Sequence, residues 1–207
     1  MLKSQDLLIA LKLVALQVDQ DMRRNAVEKR IAQLQQSDLA GLDRAIQEID
    51  LEPQSEWTYR SLSEATRVSV SEINSAIRRG IKSNLLVRSE ENSRPRPLKG
   101  SLLEFIEHGV RYAYPAERGE PTRGIPTAFA APLFQDELAS QGELPPVWKY
   151  ANGSSLGYAL SPIYKTAPLA AAKDPILYEL LVLVDVFRIG RQREKSVAIR
   201  LLKERLA

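Results

Sequence analysis

The chain has 207 residues, of which 44% are hydrophobic and 27% charged, which places it with globular chains of one large or two small domains and away from disordered ones. It has no cysteine, so disulfides, thiolate metal sites and cysteine nucleophiles are excluded. The net charge is only +3, but Ser55–Lys99 holds nine Lys/Arg against five Asp/Glu, Asp185–Ala207 seven against three, and Val18–Glu52 five against eight, so two basic blocks are available for anion or nucleic-acid contact.

Ser4 to Gln17 carries Leu7, Leu8, Leu11, Val14 and Ala15 at helical spacing, with Ser4 as N-cap. Lys3, Asp6 and Lys12 interrupt the apolar run and no small-residue cleavage site follows, so the segment reads as an amphipathic helix and not a signal peptide. In Val18–Leu51, Val27, Ile31 and Leu34 form one stripe and Leu39, Leu42, Ile46 and Ile49 another, with Ser37-Asp38 between them. That pattern predicts an antiparallel helical hairpin, packed on the body or on a second subunit. After the break at Pro53 and Ser55, Trp57-Thr58-Tyr59 has strand character. Helices are predicted over Ser61–Thr66 and Val70–Ser83. A strand at Leu85–Arg88, a polar turn from Ser89 to Pro97 and a helix from Leu102 to Tyr112 follow.

Ser69-Val70-Ser71-Glu72 matches a capping box, which sets a sharp helix start. Val70, Ile73, Ile77 and Ile81 then share one face. The other face offers Ser71, Asn74 and Ser75, then Arg78, Arg79 and Lys82. Short polar groups at the N-terminal end and cations further along suit a helix laid in a major groove, where base edges are read and phosphates flank the floor. Leu62 and Ala65 of the preceding helix can pack on it across the turn Thr66-Arg67-Val68. The basic hairpin behind it, with Arg94, Arg96 and Lys99, stands where it can lie along the backbone or the minor groove.

In these residues (Trp57 to Ala65, Val68 to Asn74 and Leu85-Leu86-Val87) the chain resembles winged helix-turn-helix transcriptional regulators in the broad MarR-like sense. The resemblance covers roughly the first hundred residues, with 18–52 as an insertion. It implies a mainly α fold with a small β wing and a winged helix-turn-helix domain over 1–100; beyond the resemblance, 101–207 is expected to form an α-rich C-terminal domain for dimerisation or sensing, with an irregular Pro/Gly-rich middle. The resemblance also implies a homodimer bound to double-stranded DNA through Ser69, Ser71, Asn74, Ser75, Arg78, Arg79, Lys82, Arg94, Arg96 and Lys99. Many members place Gly where this chain has Arg67, and a left-handed Arg there costs about 1 kcal/mol.

Tyr114–Pro168 is dense in Pro and Gly, yet Phe129, Phe134, Trp148, Tyr150, Tyr158 and Tyr164 require burial, so short strands and ordered loops are expected. Arg111, Arg118 and Arg123 are candidates for an anionic ligand or a partner's carboxylate. Helices are predicted over Asp174–Arg188 and Arg191–Leu206, hinged at Gly190. The first is apolar on most faces and so is predicted to be buried, in the body or in a dimer core. Its longest apolar run, Ile176–Val186, is too short for a bilayer and holds Glu179 and Asp185. Arg188, Arg191 and Arg193 form a second candidate contact to DNA flanks or a protein, or ordinary partners of Asp185 and Glu194. The C-terminal pattern loosely resembles regulators encoded beside bacterial toxin or defence genes.

Enzymatic signatures are missing. The glycines fit no phosphate loop or dinucleotide fingerprint, no Gly-x-Ser-x-Gly occurs, and the lone His108 supplies no metal cluster. The expectation is a cytoplasmic, non-enzymatic DNA-binding regulator acting as a repressor, without cofactor, metal or membrane. The alternatives are a protein-interaction adaptor of antitoxin type and a sensor of an anionic small molecule.

Overall fold

The computed structural model describes residues 1–33 (side chains to residue 26), 57–90, 93–135 and 144–206. The second arm of the expected hairpin, from Ser37 to Leu51, lies outside them, as does the break at Pro53 and Ser55. The described fold is mainly helical, with one two-stranded and one three-stranded sheet.

Helix α1 runs without interruption over Ser4–Gln33, so the expected first helix and the first arm of the hairpin are one element. No Gly or Pro stands in this stretch to end it. Its start is fixed by Asp6, whose carboxylate accepts the Lys3 amide at 2.8 Å, and not by Ser4. The amphipathic reading is corrected as well. Leu7 to Leu11 and Leu13 to Ala15 are all buried, because Ile9, Ala10 and Leu13 make the supposed outer face apolar too. Beyond Asp19 the helix is exposed through Ala26.

Trp57 and Thr58 form no strand. Thr58 is the N-cap of α2 (Tyr59–Thr66) and exchanges hydrogen bonds with Ser61 in a capping box. The turn to α3 (Val70–Lys82) passes through Arg67 at φ 57°, ψ 29°. The chain therefore does take the left-handed shape there, with the Arg67 amide bound to the Ser63 carbonyl at 2.9 Å. Ser69 caps α3 by accepting the Glu72 amide at 3.4 Å. Behind α3, β1 (Leu86–Arg88) pairs antiparallel with β2 (Pro95–Pro97). The hairpin base packs tightly on α3. A Cβ added at Gly80 would come 2.7 Å from Leu86.

A helical run over 99–113, α4, contains a π-helical segment at Phe105–Gly109. The Pro/Gly-rich region then folds as short strands and ordered turns. Strand β3 (Arg118–Pro126) pairs antiparallel with β4 (Pro146–Lys149) and β5 (Ser155–Leu160), which pair parallel with each other, closing a small barrel. Close backbone approach leaves no room for side chains at Gly124, Gly153 and Gly157. A Cβ at Gly153 would stand 2.2 Å from the Gly124 carbonyl oxygen. Helices α5 (Ala167–Ala171), α6 (Pro175–Ile189) and α7 (Gln192–Leu206) complete the chain.

The largely apolar helix α6 is buried inside its own chain. Leu177 and every residue from Leu180 to Arg188 are buried, packed against α1, α5, α7 and the last turn of α4. The apolar residues of Leu7–Ala15 and of Leu180–Phe187 belong to one cluster. Polar ties join the same elements: Lys12 pairs with Asp174 at 2.6 Å, and Arg205 with Glu179 at 2.8 Å. Asp174 also caps α6 by accepting the Leu177 amide.

Two tyrosines yield predictions. Tyr178 donates its hydroxyl proton to the Pro126 carbonyl at 2.7 Å, and burial, with Glu179 nearby, pushes its phenol up to about 12. Stability that needs the protonated phenol is complete below pH about 10 and is lost as pH rises through about 12. Tyr178→Phe should cost about 1 kcal/mol at neutral pH and make the loss of stability across that alkaline window shallower in urea melts. Tyr114 differs in its bonding. Its hydroxyl is buried with no hydrogen-bond partner, and burial, aided by Asp6, pushes it up to about 12. Tyr114→Phe removes an unsatisfied polar group and should raise stability by about 1 kcal/mol, read as a higher thermal midpoint.

Candidate nucleic-acid interface

Helix α3 has two chemically distinct sides. Ile73, Ala76, Ile77 and Gly80 are buried. Ser71, Ser75, Arg78 and Lys82 are spaced by four, three and four residues, which aligns them along one line of the helix. Of these, Ser71, Arg78 and Lys82 are exposed and Ser75 is half-buried, with Asn74, also half-buried, at the edge of the line. The line is about 16 Å long at 1.5 Å per residue. Ser69 stands exposed at its start, its hydroxyl 3.3 Å from that of Ser71.

Arg79 does not belong to this line. Its guanidinium grips the Asp6 carboxylate with two hydrogen bonds, at 2.8 and 2.7 Å, and lies 3.7 Å from Glu72. Hydrogen bonding to Asp6 holds the Arg79 guanidinium above its ordinary value. Gln5 in turn donates to Glu72, so Glu72 braces α1 instead of returning to Ser69 to complete the box. The expectation that Arg79 contacts a ligand is replaced by a positioning role: it locks α3 onto the N-terminal turns of α1.

The hairpin adds cations beside α3. Arg96 is exposed on β2, opposite the exposed Val87 of β1. Arg94 and Lys99 are half-buried at the two ends of β2. The residues that sequence reasoning passed over here are Arg67, exposed in the turn before α3, and Arg88, exposed on β1 with its guanidinium 3.3 Å from the Ser93 carbonyl. Their proximity to the motif was the available signal.

The C-terminal arginines do not converge. Arg118 stacks over the Tyr158 ring, 3.7 Å from its centre. Arg123, exposed, reaches the Gly153 carbonyl at 3.4 Å. Five residues of strand separate the two, about 16 Å. Arg111 is exposed on the last turn of α4, where its charge, after burial, helps to lower Lys195 of α7. Arg188 is only 5% exposed. It is bound to Asp185 at 2.6 Å and donates to the carbonyls of Tyr114, Ser161 and Pro115, so it holds the interior together and offers nothing to a surface anion. Arg191 and Arg193 remain exposed at the junction of α6 and α7, and Glu194 caps the Arg191 amide. His108 is exposed beside Glu107.

Among the described residues no helix is long and apolar enough to cross a membrane. Comparison of the chain with known protein families, curated sequences and solved structures returns no match.

Proposed function

We propose that this protein is a sequence-specific regulator that binds double-stranded DNA, in the manner of winged helix-turn-helix repressors, as a non-enzymatic cytoplasmic homodimer. The observation that carries the reading is the outward line Ser71, Ser75, Arg78 and Lys82 on a helix whose opposite face is sealed in the core. In this reading α3 enters the major groove, Asn74 and Arg78 meet base edges, and Lys82 meets a phosphate. Ser69 and Ser71 serve the backbone at the helix start. The hairpin, with Arg94, Arg96 and Lys99, follows the flanking backbone.

Arg79 supports the arrangement indirectly, since its pair with Asp6 fixes the pitch of α3 against the body. A dimer would place two such helices on successive major-groove faces, about 34 Å apart. The test is a gel shift with duplex from the region upstream of the protein's own reading frame. Specific retardation that weakens steeply between 50 and 200 mM salt, roughly as expected for several phosphate contacts, supports the reading. No retardation at low salt, or retardation equal for every sequence, rejects it.

A protein-interaction role is favoured by one feature: Tyr112, 83% exposed, projects beside Arg111 at the end of α4. Tyr and Arg are the residue types that dominate interface energetics. Co-purification that is lost in Tyr112→Ala, with no binding to DNA, would favour an adaptor over a repressor.

A further inference from the structure

Between α1 and the hairpin lies a groove of about 570 Å³, within the range of small-molecule sites, roughly 300 to 1,000 Å³. Its lining is mixed: Gln17, Gln20 and Ser89 are neutral and polar, and the rest has two characters. Leu13 and Leu16 of α1, the Trp57 ring and Val87 supply apolar wall. Arg94, Arg96 and Lys99 supply positive charge, against Asp21 as the acid of the described lining. Trp57 adds a further signal, because its indole N–H is buried and has no hydrogen-bond partner. Leaving such a donor unpaired is costly, and a ligand bringing an acceptor would recover that cost.

We infer that this groove binds a small organic carboxylate with an apolar body. The apolar part lies on Leu13, Leu16 and Trp57, and the carboxylate faces Arg94, Arg96 and Lys99. An inorganic anion would leave the apolar wall wet, and a neutral hydrocarbon would leave the Trp57 N–H without an acceptor. Arg94, Arg96 and Lys99 are also the cations assigned to the DNA backbone. Resting on that reading, occupancy of the groove competes with DNA and releases it.

The test uses octanoate and cyclohexanecarboxylate, which do not absorb where Trp is excited, on the full chain without DNA. The chain has two Trp. Trp148 is 1% exposed and bonded to Asp185, so an emission change reports Trp57. A saturable change with the carboxylates, absent with octanol and with inorganic phosphate, and lost in Arg96→Glu, is expected. Arg96 is exposed, so that variant retains its fold, and its unchanged thermal midpoint confirms this. A change of equal size with octanol, an unchanged response in Arg96→Glu, or no saturation at millimolar concentration overturns the inference. In a gel shift, saturating octanoate should weaken specific DNA binding at least tenfold, and an unaltered complex refutes the competition. A chain that saturates with octanoate but binds no duplex at low salt would reject the DNA reading and uphold the ligand site.

Discussion

Arg78→Ala and Arg79→Ala, changes at adjacent positions, are expected to give opposite results. Arg78 is exposed and on the outward line of α3, so its loss should leave the melting temperature within error. Specific DNA binding should weaken by about 1–3 kcal/mol, roughly 5- to 150-fold, with relaxed discrimination at one base position. Arg79 is the partner of a carboxylate whose side chain is fully buried. Removing it strands the Asp6 charge beneath the Tyr114 phenol and should cost about 2–3 kcal/mol of stability. Lys82→Ala gives a third signature: weaker binding to all sequences alike, with the slope of log K against log salt falling by about 0.9. Gel shifts over a salt series, paired with thermal melts, separate the three. Equal loss of DNA binding in Arg78→Ala and Arg79→Ala at matched stability would place the line of contact elsewhere on α3.

The largest loss of stability is expected at Asp185. It is 1% exposed and accepts from Thr127 at 2.8 Å, Trp148 at 2.7 Å and Arg188 at 2.6 Å. Burial pushes its carboxyl up, and the Arg188 guanidinium with the Thr127 and Trp148 donors pulls it back. These bonds tie α6 to the barrel through Trp148 and to the turn after β3 through Thr127. Asp185→Ala leaves a buried guanidinium uncompensated and two donors unmet, a loss of about 3–5 kcal/mol. For a chain of this size that lowers the melting temperature by roughly 10 °C. Asp185→Leu with Arg188→Met removes both charges together and should recover part of the loss, because no guanidinium is stranded, while the Thr127 and Trp148 donors and the carbonyls of Tyr114, Pro115 and Ser161 are left unmet. Urea melts of the single and double variants measure the coupling. A double variant as unstable as Asp185→Ala would show that the packing, and not the ion pair, holds the junction.

The parts of the fold that were legible in the sequence are those fixed by local chemistry. Helix α3 begins where Ser69 stands because the cap is three residues long, and its faces follow from isoleucine spacing. The helix pair at the C-terminus was marked by Gly190 and by the largely apolar pattern of α6. Trp57-Thr58-Tyr59 was misleading because aromatic and β-branched residues favour strands in general, whereas here Thr58 finds Ser61 three residues on and caps a helix. The full burial of α1 was present in Ile9, Ala10 and Leu13, which the amphipathic stripe had set aside.

What the sequence concealed is long-range. Asp6 and Arg79 are 73 residues apart, and no local pattern pairs them, so Arg79 looked like a sibling of Arg78. The barrel is joined by a parallel pairing of β4 and β5 and by close backbone approach at Gly124 and Gly153, which the chain shows only as Pro and Gly density. Arg188 looked like part of a surface cluster with Arg191 and Arg193. An acid placed three residues before it, inside an otherwise apolar helix, was the sign that both were internal.

Methylation interference on a selected duplex tests the central claim most directly, because dimethyl sulfate marks guanine N7 in the major groove and adenine N3 in the minor groove. Insertion of α3 into the major groove predicts that methyl groups on particular guanines, in two clusters about one helical turn apart, block complex formation. Interference confined to adenines, or a complex indifferent to both marks, would contradict it.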